Sequence, residues 1–367
     1  MTRDPENVQA AEVSLPSKDI AADLAFFTGR LGFRLDAIFP ADHPRVATIS
    51  GHGLRIRLDA LAVGPPATLR LLCLDPKALA EGVLEMVAPN GALIQLVDAT
   101  PAVEAPLPTP AFRVRRLSDA DSWVKGRAGM LYRDLIPGRL GGAVIASHIR
   151  IPEAGPVPDM VHFHDVGFQL IFCIHGWVRL VYEDQGPPFV LSAGDCLIQP
   201  PRIRHRVLES SENLQVIEVS VPAEHLTTID HEMQLPTEAV RPDRDFGGQR
   251  FCRSEATRAV WTPWRLAGFE ARDTGIAAAT SGRASVTVAR ATGPRSGEWA
   301  HHTAGVLFTY VLSGSMMLRE EATGGHALSA GDAYVIPPGM NTSLSGCSDD
   351  LELLEVSMPA HFETEVR

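Results

Sequence analysis

The chain has 367 residues, 45% hydrophobic and 21% charged, with 33 Lys+Arg against 44 Asp+Glu. That length exceeds one ordinary domain and that composition supplies real cores, which excludes a disordered chain. A formal charge of −11 argues against a general affinity for nucleic acid or an anionic membrane. No apolar run approaches the roughly 18 residues of a membrane span, and the polar N-terminus lacks the apolar core of a secretion signal. Five scattered cysteines form neither a disulfide framework nor a paired-cysteine zinc site. The expectation is a reduced, cytoplasmic protein of several domains.

Residues 1–100 read as an α+β unit. In 19–31, apolar Ile20, Leu24, Phe27 and Leu31 recur at helical spacing, and Gly32 stands where a C-cap belongs. Strand-like runs lie at 12–15, 33–39, 45–49, 54–58, 68–74 and 92–97. Pro-rich 101–110 is the exit linker.

The rest of the chain is a repeat. Arg133-Asp134 and Arg272-Asp273 precede similar apolar runs, and HDVGFQLIFCIHG (164–176) lines up with HTAGVLFTYVLSG (302–314). Gly194-Asp195 through Pro201 matches Gly331-Asp332 through Pro338, and VIEVSVPAEH, ending at His225, matches LLEVSMPAHF, ending at Phe362. The offset drifts only from 139 to 137 residues, so 110–225 and 250–362 are two copies of one domain. Within a copy, short apolar runs such as 168–174, 178–182, 189–191 and 214–221 are bounded by Gly, Pro and Asp. That pattern predicts an antiparallel sandwich or barrel. The resulting division is 1–100, linker 101–110, first repeat 111–226, linker 227–250 and second repeat 251–367.

Chemistry concentrates in the first repeat. His162 and His164 alternate along a strand and therefore share a face. Gln169 follows at an odd spacing that a turn or bulge at 165–167 could correct, and His205 opens a later strand. Three converging imidazoles are a typical set for one divalent transition metal, with open positions for substrate. Gln169 either stays as a weak fourth ligand or hydrogen-bonds a metal-bound water or substrate. In both cases the site carries more positive charge than one with a carboxylate ligand, which favours an anionic, chelating substrate. The equivalent positions in the second repeat are Ala300, His302, Leu307 and Thr342, so that copy keeps the scaffold and loses the site. Tyr182, Glu183 and His175 are candidates to face the cavity beside the metal, whereas Glu218, repeated as Glu355, reads as structural.

HxH, four residues, an acceptor, then Gly-Asp-x4-Pro-x4-His resembles the paired motifs of the cupin superfamily. Gln169 stands where the family's first motif has Glu, and Arg202 where its second has Gly. The repeat region thus resembles a bicupin, which implies a mainly β fold of two tandem double-stranded β-helix (jelly-roll) barrels. The stretch DIAADLAFFTGRLGFRLD with APNGALIQLVD resembles the vicinal oxygen chelate (glyoxalase and bleomycin-resistance) family, which implies a truncated βαβββ unit. That family's usual ligands are not evident: the first strand has none, and Gln95 stands at the expected Glu. Packing, dimerisation or a lid are therefore the roles expected of it.

The bicupin resemblance implies an Fe(II) dioxygenase acting on a small chelating aromatic or enolisable acid at His162, His164, Gln169 and His205. Zinc, manganese, nickel and copper are open alternatives to iron. A metal-dependent isomerase, lyase or hydrolase and a non-catalytic binding module are the competing classes. No phosphate-binding loop or dinucleotide fingerprint is present, so no nucleotide cofactor is expected. The expected partners are a small-molecule substrate and a second copy in a homodimer, with neither nucleic acid nor membrane.

Overall fold

The computed structural model describes residues 10–40, 43–79, 82–119, 123–126, 129–293, 297–321 and 324–367; the opening nine residues of the expected N-terminal unit lie outside them. The chain divides into two compact units, Met1–Ala102 and Val103–Arg367. No helix among the described residues is long and apolar enough to cross a membrane.

In the first unit, Asp19 caps helix α1 (Ile20–Gly29) by accepting from the Ala22 amide at 3.0 Å. The helix yields at Arg30, and Gly32 takes a left-handed φ of +71° two residues later. Strands β1 (Val13–Pro16), β2 (Arg34–Phe39), β3 (Val46–Gly51) and β4 (Leu54–Asp59) form one sheet in the order β1-β4-β3-β2. Strands β5 (Thr68–Cys73), β6 (Glu85–Val87) and β7 (Leu93–Asp98) form a second, in the order β5-β7-β6. Phe27, Ile49, Ile56, Leu58 and Ile94 fill one core. Gln95 is occupied across the sheet, its amide donating to Glu85 at 2.8 Å.

The second unit is built almost wholly of strands, and its two halves repeat one plan. The first half holds β8 (Arg113–Arg115), β9 (Trp123–Lys125), β10 (Leu131–Asp134), β11 (Ile145–Ile151), β12 (Gly155–Pro156), β13 (His162–His164) and β14 (Phe168–His175). It continues with β15 (Trp177–Tyr182), β16 (Phe189–Ser192), β17 (Cys196–Ile198), β18 (His205–Ser210), β19 (Leu214–Val221) and β20 (Thr227–Ile229). The second half holds β21 (Cys252–Ser254), β22 (Trp261–Pro263), β23 (Phe269–Asp273), β24 (Ser285–Ala291), β25 (Trp299–His302) and β26 (Val306–Ser313). It ends with β27 (Ser315–Glu320), β28 (Gly324–Ser329), β29 (Ala333–Val335), β30 (Thr342–Ser345), β31 (Glu352–Met358) and β32 (Thr364–Val366).

Barrel 1 closes a sheet β21-β17-β14-β19-β11-β10-β9 over a sheet β16-β15-β18-β13-β20, and barrel 2 repeats this as β8-β29-β26-β31-β24-β23-β22 over β28-β27-β30-β25-β32. The edge strands are exchanged: β8, which leads into barrel 1, pairs with β29 of barrel 2, and β21, which leads into barrel 2, pairs with β17 of barrel 1.

Alternation explains the long apolar strands. On β14, Phe168, Leu170 and Phe172 pack against Val306, Phe308 and Val356 between the barrels, while Cys173 and partly buried Ile171 join the core inside barrel 1. Both faces are covered, so the strand reads as a nearly continuous hydrophobic run. The repeated Arg-Asp and Gly-Asp landmarks clasp the halves together. Arg133, fully buried, donates to the Gly331 carbonyl at 2.6 Å, and Arg272 reciprocally donates to the Gly194 carbonyl. Gly194 and Gly331 hold φ of +89° and +94°, and a Cβ there would lie 2.9 Å from Ala256 and 2.7 Å from Leu117. Only glycine meets both demands.

The segment 227–250, read from sequence as a linker, is instead woven onto barrel 1. Its first residues are β20, Phe246 joins the barrel core, and Gln249 donates to the Gly167 carbonyl at 2.7 Å.

Candidate metal centre

β13 is short, and its alternation sends His162 and His164 to the barrel interior while Phe163 faces outward under the guanidinium groups of Arg202 and Arg204 (4.9 and 4.3 Å from its ring centroid). His205 opens β18 in register with His162. The three imidazoles offer donor atoms that all lie within 4.8 Å of one another, and the described residues hold no other such cluster of His, Cys, Asp or Glu. Nδ1 of His162 is 2.7 Å from the Met160 carbonyl and Nδ1 of His205 is 3.0 Å from the Ile203 carbonyl. A carbonyl only accepts, so both rings carry their proton on Nδ1 and, when neutral, a lone pair on Nε2. His164 Nδ1 lies 2.9 Å from the Thr227 hydroxyl. Two rings with a set tautomer and a third beside them fit a divalent transition metal.

Sequence reasoning missed several members of this neighbourhood. Asp159, buried, approaches His162 Nδ1 at 3.6 Å through one oxygen and accepts the Val207 amide at 2.9 Å through the other. A carboxylate there offsets positive charge behind the ligand rather than on the metal. Thr227 and His225, both lining the cavity, come respectively from the segment read as a linker and from the end of the first repeat. The signal available for Asp159 was only its place three residues before His162.

Gln169 lies on β14 between Phe168 and Leu170, one step from barrel-facing Ile171 by alternation. It is 1% exposed, and neither amide atom has a hydrogen-bond partner. The cavity lining does not include it, although Gln199, whose amide N–H donates to the Gln169 carbonyl at 2.9 Å, is part of that lining. Tyr182 lines the cavity, stacks on His205 (ring centroids 5.4 Å apart) and accepts from Gln199 Nε2 at 2.9 Å. Burial pushes its phenol well above the usual range and keeps it protonated.

The other two candidates beside the metal do not reach the cavity. Glu183 is turned to an ion pair with Arg244 at 2.6 Å and accepts the Arg204 amide at 3.2 Å. His175 is exposed with Nδ1 on the Asn213 carbonyl, because a register shift between Cys173 and His175 breaks the alternation that carried Gln169 inward. Glu218, expected to be structural, is on the cavity wall, and Ser220 donates to it at 3.2 Å. Arg202 occupies the glycine position of the motif with φ +62°, and its amide donates to the His164 carbonyl at 3.0 Å. Gly339 does the same for His302 in barrel 2, at 2.9 Å.

The cavity of barrel 1 measures about 280 Å³ and that of barrel 2 about 40 Å³. In barrel 2, Arg265 pairs with Glu355, the equivalent of Glu218. His302 is buried, and burial first, then Arg265, pushes its pKa down to about 4.

No family model matches the sequence, and no curated protein matches it. Solved structures do. The chain is similar to salicylate 1,2-dioxygenase from Pseudaminobacter salicylatoxidans, with TM-score 0.52 and 16% identity over 71% of this chain and 90% of that one. It is also similar to the oxalate decarboxylase of Lactobacillus farciminis (TM-score 0.51, 14% identity, 69% and 88% covered). A variant of the Bacillus subtilis oxalate decarboxylase gives TM-score 0.50 and 15% identity, with 73% and 82% covered. At these identities the likeness is one of fold. The fold is that of a bicupin, and barrel 1 carries a three-histidine cluster able to hold a metal.

Proposed function

We propose that barrel 1 is a mononuclear metal site of an Fe(II) dioxygenase acting on a small chelating organic acid, aromatic or enolisable. The observation that carries this reading is the three-imidazole cluster at the wall of a cavity of about 280 Å³ in a bicupin fold. His162, His164 and His205 would hold the ion, which when bound supplies Lewis acidity and, as iron, redox chemistry toward O2. Tyr182, already accepting from Gln199, offers its O–H to a ligand oxygen. Thr227 and the Met160 and Ile203 carbonyls keep the imidazoles oriented, and Asp159 supports His162. Gln169 brings a buried amide to the same barrel, as ligand or as hydrogen-bond partner.

Likeness to oxalate decarboxylases, together with Glu218 on the cavity wall, favours a second reading in which the metal acts in a non-oxidative lyase, isomerase or hydrolase. The same proposal places the protein in the cytoplasm, a reducing compartment suited to five scattered cysteines without paired spacing, and makes it a homodimer. The edge strand β2, exposed at every residue, supports a pairing role for the glyoxalase-like unit.

Oxygen consumption by iron-loaded protein, screened with catechols, hydroxy-aromatic acids and diketones, tests the reading. Substrate-dependent uptake that disappears in His205→Ala is the expected result. Turnover that proceeds without O2 would replace it with the Lewis-acid reading, and binding without turnover would leave a binding module.

A further inference from the structure

The metal-end residues do not account for the rest of the barrel 1 cavity, and its chemistry changes along the strands. On β15, Tyr182 stands in register with His205, Leu180 with Val207 and Val178 with Ser210, and all three β15 residues line the cavity. At about 3.3 Å per residue, Val178 lies roughly 13 Å along the strand from Tyr182. The facing sheet has the same gradient: Ile149 pairs with Val216 and Ile151 with Leu214, all four lining the cavity. Imidazoles, the Tyr182 phenol and a threonine hydroxyl therefore mark one end; branched aliphatic side chains mark the other, together with Met130 and Tyr132, which stands beside Ile149 with its hydroxyl turned to the Met130 sulfur at 3.6 Å.

We infer that this cavity takes a two-part substrate: a bidentate oxygen head that meets the histidine cluster and an uncharged apolar body laid along the aliphatic positions. The inference rests on the metal-site reading above and narrows its substrate class to acids whose charge is confined to the chelating head. A second carboxylate at the far end would lose its water among Val178, Leu180 and Val216, and Glu218 on the same wall, being an acid itself, gives it no counter-charge. The volume of about 280 Å³ fits a small body, at the lower edge of small-molecule sites.

Calorimetric titration of the zinc-loaded full chain with two catechols tests this, because zinc keeps the ligands from being oxidised. The probes are propylcatechol and dihydroxyphenylpropanoate, which share head and chain and differ in the terminal charge. Propylcatechol should bind at least about tenfold more tightly. Ile151→Lys, at a half-buried position from which an ammonium can reach water, should narrow that gap at least about threefold. Equal affinity, or tighter binding of the propanoate by the parent protein, would overturn the inference while leaving the metal site intact. If neither catechol binds the zinc-loaded protein better than the zinc-free protein, the metal-site reading falls and the inference falls with it. The comparison in the parent protein decides the matter even if Ile151→Lys fails to fold.

Discussion

Gln169→Leu separates what the barrel needs from what a metal needs. The Gln169 side chain is 1% exposed with both amide atoms lacking partners, and barrel 2 holds Leu307, 2% exposed, at the equivalent place. A buried polar group left unpaired costs about 1–3 kcal/mol. Leucine has similar volume and no such atoms, so the variant should stabilise the metal-free protein by about 2 kcal/mol. The five tryptophans, Trp123, Trp177, Trp261, Trp264 and Trp299, all lie in the two-barrel unit, so their fluorescence in a urea titration follows that unit alone. The midpoint should rise at unchanged slope. Zinc affinity then distinguishes the two roles left open for the amide. A loss of roughly tenfold or more marks a metal ligand, whereas unchanged zinc affinity with weaker catechol binding marks a hydrogen-bond partner. A metal-free variant no more stable than the parent would refute the reasoning, because the amide would then be satisfied, as by a buried water.

Further outcomes follow from other positions. Arg133→Met strands the Gly331 and Arg116 carbonyls that the buried guanidinium now serves, and should cost about 3 kcal/mol in the same urea titration; a cost below about 1 kcal/mol would contradict the clasp. Arg202→Gly should be more stable than Arg202→Ala by about 1 kcal/mol, because both lose the Asp165 ion pair but only alanine keeps a side chain at φ +62°. Equal stabilities would remove the backbone explanation. His148 is held neutral, its pKa pushed down to about 4 by burial first and then by Arg133. The unfolded chain takes that proton near 6.5, so the contribution is complete above about pH 6.5 and is lost as pH falls toward 4. The loss amounts to about 3 kcal/mol, and His148→Gln should flatten the pH dependence of the urea midpoint across that window. An unchanged slope would count against it.

The repeat was legible because a barrel's turns and clasps impose the same residues twice: Gly194 and Gly331 need their backbone angles, and Arg133 and Arg272 need their carbonyls. His205 was reached through its place in the Gly-Asp-x4-Pro-x4-His motif, whereas that His162 and His164 share a face was legible because strand alternation has a period of two and needs no tertiary knowledge. That rule failed where the ladder slips, and His175 ended outside after the bulge. It also says nothing about ion pairs formed from afar, which is how Arg244, 61 residues on, turns Glu183 away. Thr227 and His225 were hidden because the end of a repeat and a polar, Pro-rich stretch look like a connection whether or not the chain is laid back onto the barrel. The exchanged strands β8 and β21 are too short to carry a pattern of their own. Nor does the Gln199 bond that orients Tyr182 follow from their 17-residue separation.

The account's central claim is that barrel 1 holds a metal through three imidazoles. Metal analysis of protein purified without an added histidine tag and without air, for the parent and for His205→Ala, tests it most directly. The account predicts about one divalent transition metal per chain in the parent and a marked loss in the variant. No bound metal in the parent even after reconstitution, or the same content in both proteins, would contradict it.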